Sequence, residues 1–287
     1  MSDDISISKD EALHANIYVH AYLANAGEYN KSPHFRPENQ DKVRRILEGL
    51  AASLPECATS KAVDFGCGTG FIINLIKDLV GEVHGVDITQ DMMKQVDMSN
   101  GNITLHESTA EQTSFPDNNF DIATAYSFMD HLFDPTEFLA EAYRVLKPGG
   151  VFYSDLNPNR DFVNAIETLS HTEDLQQGVS PIVEREFQGA LHNGEHYQEQ
   201  FGIDADLLEK AEPGKTLSKG FEANEVILAA KEIGFTSCKV EYEWFLGQAK
   251  VIHEQPTGNS DVVENYLNSV LPASSHLFKY LRFIFKK

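Results

Sequence analysis

The chain has 287 residues, 41% of them hydrophobic, and a formal net charge of −21 at pH 7. A protein of this size can bury one sizeable core plus an appendage, and its strongly acidic balance argues against nucleic acid, whose binding rests largely on neutralising phosphates. No apolar run reaches the length needed to span a bilayer, and the polar start Met1-Ser2-Asp3-Asp4 is no signal peptide. Cys57, Cys67 and Cys238 are too few and too scattered for a disulfide framework or a zinc site, so a reducing cytoplasm is the expected compartment.

Residues 8 to 27 open with the capping-box pattern Ser8-x-x-Glu11 and close at Gly27, and Leu13, Ile17, Tyr18, Tyr22 and Leu23 give them a helical period. A second helix is expected from Pro37 to Ser53, with Val43, Ile46, Leu47 and Leu50 at helical spacing. The link between them, Glu28 to Pro37, is aromatic, polar and stiffened by two prolines.

The run from Lys61 to Phe65 followed by Gly66-Cys67-Gly68-Thr69-Gly70 and the helical stretch Phe71 to Val80 reads as a buried strand, a tight turn and a helix. Glycines there let the backbone take positive φ and let a ligand approach closely, while the new helix offers unpaired N–H groups. A dinucleotide fingerprint would place its third glycine where Phe71 stands. Asp64, two residues before the first glycine, suits a ligand carrying an ammonium and a sulfonium better than a phosphate. The pattern Asp64-x-Gly66-x-Gly68-x-Gly70 resembles motif I of the class I S-adenosylmethionine-dependent methyltransferases, in the small-molecule, ubiquinone/menaquinone-methyltransferase-like branch. The resemblance implies that this loop, with Cys67, underlies the methionine half of the cofactor. It spans residues 60 to 157 well and 220 to 252 moderately.

Downstream, Glu82 to Asp87 is a second strand ending in an acid that can bind both ribose hydroxyls, with Ile88 beside it. Asn102 to Glu107 is a third strand, and by resemblance Ala110 and Glu111 stand next to the adenine. Phe120 to Tyr126 is a fourth. Asp134-Pro135 starts a helix that ends at Lys147-Pro148-Gly149-Gly150, and Val151 to Leu156 is a fifth strand. The resemblance also implies that an N-terminal aromatic segment folds over the cofactor, which makes Tyr18, Tyr22 and Tyr29 candidates for a cation–π contact with the sulfonium, against simple packing on the sheet. Tyr126 completes the candidate cofactor set.

In an open parallel sheet ligands lie beyond the carboxyl ends of the strands, so Tyr126 to Phe133 should face the transferred methyl. His131 is the candidate general base, with a pocket-shaping role as the alternative. Phe128, Asp130, Asn157 and Arg36 are candidate substrate contacts. Asp130, Asp155 and Asn157 offer oxygen ligands, but substrate binding or turn capping is the preferred reading and no metal site is expected.

Asp161 to Leu169 reads as a helix. Residues 183 to 202 read as a hairpin about the turn His192-Asn193-Gly194, forming a substrate lid in which His196 and Tyr197 contact substrate. Phe221 to Gly234 reads as a helix, Cys238 to Phe245 as the sixth strand and Gln248 to His253 as a seventh, antiparallel one. Leu277, Phe278, Leu281, Ile284 and Phe285, interleaved with Lys279, Arg282, Lys286 and Lys287, read as a basic amphipathic helix. Such a helix packs on its own domain or a second subunit, or makes a weak contact with an anionic membrane surface.

The expected architecture is a Rossmann-like α/β fold with a seven-stranded, mostly parallel sheet and a reversed last strand. The expected organisation is an N-terminal helical cover (1–55), a cofactor-binding core (56–157), an inserted lid (158–219), the last core elements (220–256) and a C-terminal helical tail (257–287). The resemblance implies transfer of a methyl group from S-adenosylmethionine, leaving S-adenosylhomocysteine, to an oxygen or nitrogen nucleophile of a small molecule, by a monomer or homodimer. The rivals are a nicotinamide oxidoreductase on the same fold, a cofactor-binding protein without transfer activity, and a protein methyltransferase.

Overall fold

The computed structural model describes residues 7–31, 33–170, 179–191, 198 and 202–287. Its centre is a seven-stranded sheet in the order β3-β2-β1-β4-β5-β7-β6. The first five strands are Lys61–Phe65 (β1), Glu82–Asp87 (β2), Ile103–Glu107 (β3), Phe120–Tyr126 (β4) and Leu146–Pro158 (β5), all parallel in their pairings. Ser237–Phe245 (β6) and Phe278–Lys286 (β7) complete it, with β7 antiparallel to both β5 and β6.

Helices cover both faces, because nearly every residue of β1 and β4 is buried and needs apolar cover above and below. On one face lie Pro37–Ala52 (α2) and Phe71–Ile76 (α3), through Val43, Leu47, Ile72 and Ile73. On the other lie Pro135–Val145 and Ala223–Ile233, through Phe138, Ala142, Val226 and Ala230. Asp134 caps the former by accepting from the Thr136 N–H at 2.8 Å, with proline in its first turn.

Lys9–Asn25 (α1) forms as its capping box requires: Ser8 Oγ accepts from Glu11 N–H at 3.3 Å and Glu11 Oε2 from Ser8 N–H at 2.9 Å. It does not pack through its tyrosines. Ala15 and Val19 lie against Ile203, Leu208 and Ala211, while Tyr18 and Tyr22 are exposed. The small side chains let α1 approach the helix Ala205–Ala211 closely.

Three expectations are corrected. Residues 181–190 form a helix instead of a hairpin strand, since Ser180 caps it through Val183 N–H and Pro181 occupies its first turn; the turn His192-Asn193-Gly194, with His196 and Tyr197, lies outside the described residues. Gln248–Glu254 is a helix entered through Gly247 at φ +78°, so it is not the seventh strand. That strand is β7, whose residues were assigned to a basic amphipathic helix. Its apolar residues serve two faces at once, Leu281, Phe283 and Phe285 toward one helical layer and Tyr280 and Ile284 toward the other. A strand covered on both sides reads as a near-continuous apolar run, and such a run also contains helix-spaced pairs. Phe278, Leu281, Phe283 and Phe285 are thus spent in the core, which removes the apolar face that a membrane or a second subunit would have used. Among the described residues no helix is long and apolar enough to cross a membrane.

Candidate active site

The glycine loop after β1 is tied to β2: the N–H groups of Gly66 and Cys67 both donate to the Val86 carbonyl, at 2.8 and 3.0 Å. Gly66 sits at φ +66°, and a Cβ there would fall 2.0 Å from the Phe128 ring. A Cβ at Gly68 would lie 3.2 Å from the Met92 methyl and 3.6 Å from the Tyr29 hydroxyl. At Gly66 crowding as well as backbone conformation requires glycine, while at Gly68, with φ +51°, the conformation is the stronger reason.

Asp87, at the end of β2, braces the loop. Its Oδ2 accepts from Gly68 N–H at 2.9 Å and its Oδ1 from Thr89 N–H at 2.8 Å. Burial nevertheless raises its proton affinity. Asp64, only 3% exposed, accepts from the Thr124 hydroxyl at 2.7 Å. Burial pushes its carboxyl up to about 7, and the Asp87 charge adds to the rise. Two desolvated carboxylates therefore flank a loop that excludes side chains.

The loop opens into a cavity. Gly66, Gly68, Asp87, Ile88, Ala110, Glu111, Phe128 and His131 are among the residues that line it. Tyr29 closes it from the N-terminal segment, which is anchored by a 2.8 Å hydrogen bond from the Thr69 hydroxyl to Asn30 Oδ1. Ser127, in the wall at the end of β4, holds φ +49°, a conformation that costs a non-glycine residue about 1–3 kcal/mol and clusters at functional sites.

His131 Nδ1 lies 3.2 Å from the Ala211 carbonyl. A carbonyl can only accept, so Nδ1 carries the proton and the neutral ring keeps Nε2 as an acceptor. Its ring meets that of His20 edge-on at 4.8 Å. Burial, with His131 nearby, lowers the His20 imidazole to about 4.

The remaining candidates stand elsewhere. Cys67 and Gly70 are buried in the loop's underside, and a Cβ at Gly70 would lie 3.1 Å from Val96. The Tyr126 hydroxyl accepts from Asn39 Nδ2 at 2.6 Å, and its ring tilts over Phe71, fixing α2 and α3 to the sheet. Asn157 is buried in the sheet, donating to the Leu281 carbonyl at 3.0 Å and accepting from Ser154 at 3.0 Å. Arg36 is exposed at the entry to α2, and Tyr22 is exposed on α1. Asp130 is buried, 1% exposed.

Asp130, His131 and Glu212 bring ligand-type atoms within 4.8 Å of one another. The Lys215 ammonium already stands 3.1 Å from Asp130 and 2.9 Å from Glu212, supplying the positive charge a metal would bring.

The face of α1 that lines the cavity escaped the sequence reading. Lys9, Ala12, Leu13, Asn16 and His20 all reach it. They recur at helical spacing, and that stripe was the signal available.

Residues 63–154 match the methyltransferase domain family. The chain is 32% identical over 133 residues to an uncharacterized methyltransferase of Bacillus subtilis, YcgJ, an alignment covering 42% of this chain and 53% of that protein. It is 28% identical over 131 residues to the ubiquinone biosynthesis O-methyltransferase of Methylococcus capsulatus, covering 42% of this chain and 55% of that one. The chain thus spans about half the length of these curated relatives. The crystal structure of YcgJ superposes with a TM-score of 0.51 at 17% identity, covering 85% of this chain and 98% of that one. A phosphoethanolamine N-methyltransferase 2 of Haemonchus contortus, solved with phosphomonomethylethanolamine and S-adenosylhomocysteine, superposes with a TM-score of 0.55 at 16% identity, covering 98% of this chain and 60% of that one. These likenesses support an S-adenosylmethionine-dependent methyltransferase reading over residues 63–154, and the strand order with the reversed β7 is the fold shared with the solved methyltransferases.

Proposed function

We propose that this protein transfers the methyl group of S-adenosylmethionine to an oxygen or nitrogen nucleophile of a small molecule. The observation that carries the reading is the glycine loop itself, with three glycines at positive φ and no room for a Cβ at Gly66, flanked by the desolvated carboxylates of Asp64 and Asp87. A ligand bearing a sulfonium and an ammonium fits that donor set, because its charge relieves the cost of burying the acids.

When bound, the cofactor supplies an electrophilic methyl carbon on a positively charged sulfur. In this reading Asp64 favours the cationic methionine end, and Asp87 accepts from the ribose hydroxyls with lone pairs not used by Gly68 and Thr89. Ala110 and Glu111 flank the adenine, and Tyr29 offers an aromatic face to the cation. On the acceptor side, His131 Nε2 takes the proton of the attacking nucleophile while the Ala211 carbonyl holds the ring by Nδ1. Holding nucleophile and methyl group aligned supplies most of the acceleration, and the base adds about two to four orders of magnitude.

We assign residues 1–55 and 158–219 to covering the site. Supporting this, α1 lines the cavity, Ala211 positions His131, and Gly214 packs so closely on Asp130 that a Cβ would lie 2.7 Å from its backbone.

Calorimetric titration of S-adenosylmethionine and S-adenosylhomocysteine into the wild-type protein and Asp87→Ala tests the reading. Binding to the wild type, reduced at least a hundredfold in a still-folded variant, is expected. Absence of binding at millimolar ligand would reject it.

A further inference from the structure

We infer that the acceptor selected by this cavity is a small cationic amine, methylated on nitrogen. This rests on the methyltransferase reading above and narrows its substrate class.

The first ground is the sign of the wall. Asp10, Asp87 and Glu111 all line the cavity. Among the described residues the only lysine or arginine in the lining is Lys9, and its ammonium is committed to Glu137 at 2.7 Å and Glu111 at 3.7 Å. With Asp87 and Glu111 given to the cofactor, Asp10 is the lining carboxylate left to the acceptor, and an anionic acceptor, whether carboxylate, phosphate or phenolate, would meet a negative wall with no uncommitted cation.

The second ground is the kind of hydrogen bond on offer. His20 and His131 each spend Nδ1–H on a backbone carbonyl, of Asn16 at 2.9 Å and Ala211 at 3.2 Å, so each neutral ring has only an acceptor left. Asp130, adjacent to His131 in the chain, is 1% exposed. Its Oδ2 meets Lys215 at 3.1 Å, while its Oδ1 is buried without a hydrogen-bond partner. The charge of Asp130 is felt by His20 and Tyr29, both in the cavity wall. A buried acceptor left unmet is unusual and unfavourable. The Nε2 acceptors of His20 and His131 in the lining select a donor, with the charge of Asp130 acting from outside the lining, and an ammonium brings up to three donors where a hydroxyl brings one. Tyr29, Phe128 and Phe133 add aromatic surface that favours a cation.

The chemistry balances. A substrate R–NH3+ gives one proton to His131 Nε2, exposing the nitrogen lone pair. That pair forms the new N–C bond to the methyl carbon as the C–S bond breaks, its electrons staying on sulfur as the thioether. The product R–NH2–CH3+ leaves, and the imidazolium returns its proton to water.

The test uses the full chain. S-adenosylhomocysteine is titrated alone, and size-matched amines, alcohols and carboxylates on phenethyl and short alkyl frames are then titrated against the protein saturated with it. At least one amine is expected to bind tenfold or more tighter than its alcohol and carboxylate counterparts. In Asp130→Asn that amine should lose at least tenfold, with S-adenosylhomocysteine and alcohol binding unchanged. Equal affinities, preference for alcohols or carboxylates, or no binding by any amine overturns the inference while S-adenosylhomocysteine binding keeps the methyltransferase reading. Failure of S-adenosylhomocysteine to bind overturns both. Full amine affinity in Asp130→Asn also overturns the inference as drawn. The wild-type panel decides the matter by itself should the variant not fold.

Discussion

Asp64 on β1 and Asp155 on β5 are both buried aspartates near the carboxyl end of their strands, 3% and 2% exposed. Asp155 is met from inside the chain: Arg282 Nε donates to its Oδ2 at 2.8 Å, the Tyr153 hydroxyl at 2.7 Å, and the Leu156 N–H to its Oδ1 at 2.7 Å. Asp64 accepts from a neutral hydroxyl, and burial raises its carboxyl to about 7. The same residue type, equally buried, therefore holds the sheet together in one place and stays electrostatically unbalanced in the other. An acid supplied with its own guanidinium has little to offer a cationic ligand, whereas an acid without one gains from binding it.

The largest effect should come from breaking the balanced side. Arg282, 4% exposed, also donates to Glu241 at 2.9 Å and Glu243 at 2.7 Å, and Glu243 in turn pairs with Lys42 of α2. Arg282→Ala strands Asp155 as a buried charge, leaving Glu243 only its Lys42 partner, and should cost about 3–5 kcal/mol in urea unfolding. A loss below about 1 kcal/mol would mean that Asp155 is not balanced as described.

The unbalanced side should respond in the opposite sense. Asp64→Asn keeps an acceptor for Thr124 and removes a desolvated charge, so urea stability at pH 8 should hold or rise. Affinity for S-adenosylmethionine should fall about tenfold to a hundredfold, as expected when a charge-assisted interaction is lost. Reduced stability with unchanged affinity would invert the comparison.

The smallest effect is a pH dependence. Because the folded-state carboxyl of Asp64 is raised, the stability it confers is full below about 4 and is lost as the pH climbs through about 7. Cofactor affinity should move the other way, rising up to tenfold per pH unit to about pH 7 as the proton no longer has to be expelled. His20 and His34, both lowered to about 4 by burial, add a separate loss of stability as the pH falls from about 6.5 through 4. The difference between wild-type and Asp64→Asn curves isolates the Asp64 contribution. Parallel curves would show that Asp64 does not titrate in this window.

How far the sequence can be read follows the same division. The loop with Asp64, Gly66, Gly68 and Asp87 was legible because a strand, three glycines and a helix start are local signals within a short stretch. The helix α1 was legible by its cap, yet its functional face was not. Its two tyrosines drew attention, while the stripe from Lys9 to His20 became meaningful only once the cavity was seen to lie on that side. Asn157 illustrates the converse, a polar residue at a strand end whose amide is consumed by the Leu281 carbonyl of β7.

The sequence by itself determined the β-strand and glycine-loop order from β1 to β5, the capped helix α1, the proline-started helix α2, and the acids beside the loop, since each is written in periodicity, caps, prolines and turns over a few residues. Only the tertiary structure decided the identity of the reversed strand, the pairing of Arg282 with Asp155, and the meeting of His20 with His131. Residues 278–286 contain both a helix-spaced and a strand-spaced apolar pattern. Insertion between β5 and β6, with helices on both faces, is what makes the extended form bury them best.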